Sequence, residues 1–212
     1  MSTSNGEGAR LTVRDFQERK DRGDKLVVVT AYDALFGKLV DESGVDAVLV
    51  GDSVGNLLAG YETTLPVTLD QMVYHAKSTR AGVKRALLIV DMPFLTYQVS
   101  PRRAMENCGR VMQESGADAV KLEGASDGVL AAVRAVTGAG IPVMGHLGFT
   151  PQSVLALGGS RVQARDAQGA KKLVDDAKRL EDAGAFSIVL ELVPAKVAAR
   201  VTEAVHVPTI GI

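Results

Sequence analysis

Tryptophan is absent, cysteine occurs once, and aromatic residues make up 4% of the 212-residue chain, so the core must be built from small aliphatic side chains. The single cysteine, Cys108, excludes an internal disulfide and points to a reducing compartment, the cytoplasm. Cysteine and histidine show no zinc-ligand spacing. No apolar run approaches the ~18–20 residues of a membrane span. The first ten residues, MSTSNGEGAR, lack the apolar core of a signal peptide. Neither sign of charge is in excess: 24 Lys and Arg against 25 Asp and Glu leave a formal net charge of −1, which offers no surface for nucleic acid or an anionic membrane. Neither G-x-G-x-x-G nor G-x-x-x-x-G-K-[ST] follows the first apolar run, which weakens a dinucleotide or nucleotide-triphosphate reading.

What is present is alternation. With 46% hydrophobic residues the chain can bury one large core, and a single domain over 11–212 behind a polar, disordered tail at 1–10 is expected. Apolar, β-branched runs at 25–32, 45–50, 85–94, 117–124, 141–148, 186–193 and 207–212 read as seven strands. Between them lie amphipathic or capped helices. Asp33 precedes one whose apolar face carries Leu35, Phe36, Leu39 and Val40. Thr68 with Gln71 makes a capping box, Ser100-Pro101 opens a helix, and Asp127 caps another. Strand–helix alternation implies a parallel sheet with right-handed crossovers. Polar groups at the ends of strands two to six, spread around rather than focused on one crevice, favour a (β/α) barrel. A complete eight-stranded barrel needs about 250 residues, so this chain is expected to lack the end of strand seven and the last β/α unit.

The strand ends carry the chemistry. Asp52 and Ser53 follow the buried run 45–50, Asp91 follows the third strand, Lys121 and Glu123 project to one side of the fourth, His146 ends the fifth and Glu191 the sixth. Asp52, Asp91 and Glu123 are hard oxygen donors of the kind Mg²⁺ takes. Lys121 offers a fixed positive charge for a carboxylate or enolate, and Ser53 and His146 can hydrogen-bond a small polar substrate. Desolvation between Leu190 and Leu192 would make Glu191 a general base. Plain structural alternatives stay open. The aspartates could be caps, Lys121 and Glu123 a salt bridge, His146 a core histidine and Glu191 a rim charge. Six such residues at five successive strand ends are harder to explain that way, because buried charge is costly unless paired or metal-bound.

The runs T-A-Y-D (30–33), G-D-S-V-G-N (51–56), T-L-P-V-T (64–68), D-M-P-F (91–94), V-K-L-E-G (120–124), G-H-L-G-F-T-P-Q-S (145–153) and L-E-L-V-P (190–194), in this order, resemble the ketopantoate hydroxymethyltransferase family. The resemblance implies a (β/α)8 TIM barrel of the phosphoenolpyruvate/pyruvate superfamily. It implies transfer of a one-carbon unit from 5,10-methylenetetrahydrofolate to 3-methyl-2-oxobutanoate through a Mg-stabilised enolate, giving 2-dehydropantoate for pantothenate biosynthesis. Asp52 and Asp91 would then bind Mg²⁺, with Glu123 beside it or acting through water. Asp52, Ser53, Asp91 and Lys121 would hold the 2-oxo acid, Glu191 would be the proton acceptor, and His146 would lie in the active site. Homo-oligomers, decamers or similar, are implied too. The family continues beyond Gly211-Ile212 with the rest of strand seven, strand eight and closing helices, so strands one and seven are expected to be unpaired edges. Two alternatives remain. One is another Mg²⁺-dependent 2-oxo acid enzyme of the superfamily, although a lyase of that kind uses a loop cysteine and Cys108 falls on a helix. The other is an inactive or poorly folded barrel fragment.

Overall fold

A computed structural model describes residues 9–212; residues 1–8 of the expected tail lie outside the described residues. Seven strands, β1 (Val28–Thr30), β2 (Ala47–Val50), β3 (Leu87–Asp91), β4 (Ala119–Glu123), β5 (Val143–Gly148), β6 (Ser187–Glu191) and β7 (Thr209–Gly211), form one sheet in the order β1 to β7, every pair parallel. Helices α1 (Val13–Arg22), α2 (Ala34–Glu42), α3 (Val54–Leu57), α4 (Leu69–Gly82), α5 (Pro101–Ser115), α6 (Asp127–Gly138), α7 (Val154–Leu157), α8 (Ala167–Asp182) and α9 (Ala195–Ala204) intervene. The stretches expected to be loops, 54–67 and 149–165, each hold a short helix, α3 and α7.

Strand periodicity divides the core in two. Val48, Val50, Leu88, Val90, Val120, Leu122, Leu147, Ile188 and Leu190 pack outward against the helices. The alternate residues Ala47, Leu87, Ile89, Ala119, Met144 and Val189 fill the inside of the curved sheet, joined by Val28, Leu49 and Ile210. Phe16 of α1, fully buried, joins this inner cluster and meets Phe186 edge-on at 5.8 Å. That places α1 at the end where the strands begin and leaves their carboxyl ends free for the site. β1 and β7 do not pair with each other, as expected. A cleft of about 540 Å³ separates them, lined by Val27 and Val28 on one side and Thr209, Ile210 and Gly211 on the other.

The capping signals at Asp33, the Thr68–Gln71 box and Ser100-Pro101 all appear, each cap side chain accepting the backbone N–H three residues on. Two expectations need correction. Ser126, not Asp127, caps α6: its hydroxyl accepts from Val129 N, and Asp127 is the first helical residue. The apolar face of α2 is only partly core: Val40 packs against the core, but Leu35, Phe36 and Leu39 are exposed. The helix instead docks on α4 through glycine, backbone against backbone. A Cβ on Gly37 would stand 2.9 Å from Thr79 O, and one on Gly82 would stand 2.1 Å from Ala34 O. Gly82→Ala is therefore expected to destabilise the protein by about 1–3 kcal/mol through overpacking, opposite in sign to the ~1 kcal/mol gain at an exposed helix position. Urea unfolding of the two proteins measures this difference.

Candidate active site

The register of the parallel strands sets the site. Asp91 pairs with Lys121 across β3 and β4, Glu123 with His146 across β4 and β5, and Gly148 with Glu191 across β5 and β6. All five polar residues have the parity of the inner cluster, so they project inside at the carboxyl mouth. Asp52 and Ser53, in the turn after β2, complete a chamber of about 270 Å³ with them. The structure thus brings together every residue singled out at the strand ends. Asp52, Asp91, Lys121, Glu123 and His146 are buried, and the Glu191 side chain is 22% exposed. Glu191 is thus less desolvated than the other five: its side chain rises above the apolar part of β6 into the chamber.

Lys121 is the electrostatic centre. Its Nζ stands 2.7 Å from Asp91 Oδ1, 3.9 Å from Glu123 Oε1 and 3.1 Å from His146 Nδ1. Burial disfavours its charge, but Asp91, Glu123 and Asp52 outweigh burial and hold its pKa above the ordinary lysine value, so it is an ammonium. The aspartates are under-compensated. Burial, reinforced by Asp91 and Glu123, pushes the Asp52 pKa up to about 7. Burial and Glu123 raise that of Asp91 against the pull of Lys121. Glu123 goes the other way: although burial opposes ionisation, His146, Lys121 and the Gln152 N–H, at 3.0 Å from Oε2, keep its pKa low. His146 bridges two carboxylates, Nδ1 at 3.4 Å from Glu123 Oε1 and Nε2 at 3.2 Å from Glu191 Oε2. Burial and Lys121 push its pKa down, while Glu123 and Glu191 push it up and prevail. In its neutral form the ring accepts from Lys121 at Nδ1, since an ammonium can only donate, and carries its proton on Nε2 toward Glu191.

Backbone geometry aims Glu191. Leu192, the next residue, has φ 49°, an uncommon conformation for a leucine, held by Leu192 N donating to Ile212 O and Gln163 N donating to Leu192 O. Gly148 (φ 90°) lets β5 close on this corner: a Cβ there would stand 2.2 Å from Glu191 O, which accepts from Phe149 N at 2.8 Å.

Three residues given no role from sequence belong to the constellation. Gln152 donates through Nε2 to Asp52 Oδ2 and to Met92 O, both at 2.9 Å, and accepts at Oε1 from the Tyr97 hydroxyl at 3.0 Å. It thereby ties the loop after β5 to those after β2 and β3. Tyr97 also accepts from Glu123 N at 3.0 Å. Tyr32, at the end of β1, hydrogen-bonds Ser53 Oγ at 2.8 Å. The available signal was a polar residue just past a strand end, in T-A-Y-D and F-T-P-Q-S. Cys108 faces the core from α5, away from the chamber, and burial pushes its thiol up to about 12, so it is no nucleophile.

Among the described residues no group of three Asp, Glu, His or Cys side chains stands at metal-ligating spacing. Glu123 faces Lys121 Nζ at 3.9 Å and His146 Nδ1 at 3.4 Å through Oε1 and accepts from Gln152 N through Oε2. Asp52 and Asp91 remain, buried beside each other, with Asp52 N donating to Asp91 Oδ2 at 3.3 Å. Mg²⁺ needs only one or two carboxylates, so this donor set fits it.

The sequence matches the family model described as ketopantoate hydroxymethyltransferase over residues 10–212. The chain belongs to that family. Curated relatives named 3-methyl-2-oxobutanoate hydroxymethyltransferase include one from Salinibacter ruber, 53% identical over 96% of this chain and 76% of its own length. Another, from Clostridium botulinum strain Alaska E43, is 51% identical over 95% and 73%. The chain thus spans about three quarters of these relatives. Ketopantoate hydroxymethyltransferases are transferases, and this chain is grouped with enzymes of that type. Among solved structures it resembles a 2,3-dimethylmalate lyase of the PEP mutase/isocitrate lyase superfamily (TM-score 0.70, 18% identity, 95% of this chain and 72% of that one). It also resembles a phosphonopyruvate hydrolase solved with oxalate and Mg²⁺ (TM-score 0.65, 14% identity, 95% and 81%). At such identities these likenesses show the fold of the hydroxymethyltransferase chain, seven β/α units of that barrel.

Proposed function

We propose that this chain transfers a hydroxymethyl group from 5,10-methylenetetrahydrofolate to 3-methyl-2-oxobutanoate, giving 2-dehydropantoate. The observation that supports it most is the convergence of Asp52, Asp91, Lys121, Glu123, His146 and Glu191 on one chamber of about 270 Å³ in a member of this family. Asp52 and Asp91 would hold Mg²⁺, which when bound supplies Lewis-acid polarisation of the substrate's oxygens. The Lys121 ammonium attracts the anionic 2-oxo acid and stabilises negative charge developing on its carbonyl oxygen. Ser53, its hydroxyl oriented by Tyr32, hydrogen-bonds the same substrate. Glu191 takes the C3 proton, with His146 Nε2 beside its carboxylate at 3.2 Å.

Atoms balance as follows. The C3–H bond and both C–N bonds of the donor's methylene carbon break, and that carbon gains bonds to C3 and to oxygen. Water supplies the hydroxyl, and the two donor nitrogens receive the protons from C3 and from water. The test is product formation by the purified chain, followed by NMR. The reading expects 2-dehydropantoate only when Mg²⁺, the 2-oxo acid and the folate donor are all present. Product without the folate, or none from folded protein with all three, contradicts it.

Because Asp52 titrates near 7, a proton competes with the metal there. The carboxylate form binds, so Mg²⁺ affinity is expected to rise with pH and level off above 7, weakening about tenfold for each unit below. Calorimetric titration of Mg²⁺ at pH 6, 7 and 8 checks both the slope and the accompanying proton release.

A further inference from the structure

Gln152 lies in the short turn Pro151–Ser153 after β5 and is 5% exposed. A side-chain amide offers two N–H donors and two oxygen lone pairs, and this one uses all four. Nε2 donates to Asp52 Oδ2 and to Met92 O, both at 2.9 Å. Oε1 accepts from the Tyr97 hydroxyl at 3.0 Å and from Gln98 Nε2 at 2.9 Å. The backbone N–H of the same residue donates to Glu123 Oε2. Gln152 does not itself line the chamber, so its influence on the reaction passes through Asp52 and Glu123.

The partners fix which way the amide faces. Met92 O is a carbonyl oxygen and can only accept, so the amide nitrogen must lie on the side of Met92 and Asp52. The flipped amide would set its oxygen against two acceptors and its nitrogen against the Gln98 donor. The Tyr97 hydroxyl accepts from Glu123 N and keeps its own proton to give to Oε1. Gln152 is therefore an obligate donor to Asp52 Oδ2. Asp52 follows β2 in a turn, where nothing in the strand ladder restrains its carboxylate. The bond to Oδ2 restrains it and leaves Oδ1 the freer oxygen, while Asp52 N donates to Asp91 Oδ2 at 3.3 Å. A carboxylate fixed before a cation arrives loses less freedom on binding it, and polar partners behind metal ligands act in this way.

We propose that Gln152 is a positioning residue for the metal site: its side-chain amide fixes the rotation of the Asp52 carboxylate, presenting Oδ1 to Mg²⁺ beside Asp91, and its bond to Oδ2 persists when the metal is bound. The proposal rests on the assignment of Mg²⁺ to Asp52 and Asp91 made above. The opposite role is that the amide stands in the cation's place and must leave Asp52 when Mg²⁺ arrives.

The test is calorimetric titration of Mg²⁺ into the purified chain and into Gln152→Met, which keeps the length of the side chain and removes its donors. Circular dichroism verifies the fold. Mg²⁺ binding is expected to weaken 10–100-fold, the range for partners behind metal ligands. The Mg²⁺ concentration that half-saturates folate-free C3 exchange should rise by the same factor. Gln98→Leu removes a hydrogen bond from the same junction but leaves the amide oriented by Met92 O, so its Mg²⁺ affinity should change less than threefold. Equal weakening in both variants would mean a general loosening of the loops, and unchanged or tighter binding in Gln152→Met would mean that the amide does not help the metal; either overturns the proposal. NMR of the unaltered protein decides even where Gln152→Met does not fold. The two Gln152 Nε2 protons should stay resolved and protected from solvent exchange as Mg²⁺ is added, and loss of that protection on binding overturns the proposal. Absence of Mg²⁺ binding by the folded, unaltered protein removes the metal assignment underneath, whereas Mg²⁺ binding that Gln152→Met leaves intact removes the positioning role alone.

Discussion

Glu191→Gln is expected to slow folate-free exchange of the C3 proton of 3-methyl-2-oxobutanoate by about 10²–10⁴-fold, the range a positioned general base contributes. The amide keeps the shape of the carboxylate but cannot accept the proton. The corner that aims the side chain is backbone-determined: Gly148 against Glu191 O, and Leu192 at φ 49°. Affinity for the 2-oxo acid should change less than about threefold, because Lys121 and Ser53, not Glu191, are its proposed anchors. A rate loss without a binding loss marks an interaction made only in the transition state. An equal rise in KM with kcat unchanged would instead make Glu191 a binding residue. NMR exchange rates across substrate concentrations separate the two.

The second large effect concerns stability. Lys121→Met removes the ammonium that faces Asp91 at 2.7 Å and Glu123 at 3.9 Å, leaving buried carboxylates without their main counter-charge. Breaking a buried pair by deleting one partner costs about 3–5 kcal/mol, and methionine of similar length leaves little cavity to confuse the cause. The pH dependence gives the sign. Asp52 and Asp91 already have raised folded-state pKa values, and loss of Lys121 raises them further. A carboxyl whose folded pKa exceeds its unfolded value favours folding when protonated, and that contribution is lost as pH rises through the folded value. The deficit of the variant should therefore be largest at pH 7–8 and shrink as pH falls toward 5. Denaturant melts of both proteins across this range report it. A deficit independent of pH would place the cost in packing rather than charge.

The features legible in the sequence were those set by period and register. Once strands three to six are parallel and in step, i, i+2 parity puts Asp91, Lys121, Glu123 and His146 on one side, and Glu191 follows at the next strand end. Short-range caps were legible for the same reason: Asp33, Thr68 and Ser100 act on residues three positions away. Long-range partnerships were not. Gln152 meets Asp52 across 100 positions, and nothing local distinguishes it from any loop glutamine. Glu123 reads as standing beside a metal or reaching it through water because its type and parity fit. Its Oε2 accepts from Gln152 N, brought round by the fold, whereas Oε1 faces Lys121 and His146 without a hydrogen bond. The exposed face of α2 misled by composition: Leu35, Phe36 and Leu39 form an apolar stripe, but Gly37 decides which side docks.

The central claim is that these strand-end residues, as assembled, enolise a branched 2-oxo acid. It is tested most directly by proton NMR of 3-methyl-2-oxobutanoate in D₂O with the purified chain and Mg²⁺, without folate. Deuterium entering at C3 collapses the methyl doublet to a singlet. The collapse is expected with Mg²⁺ and should stop on adding EDTA. A doublet that persists in the presence of folded protein and Mg²⁺ would contradict the account, because the half-reaction is assigned wholly to residues of this chain.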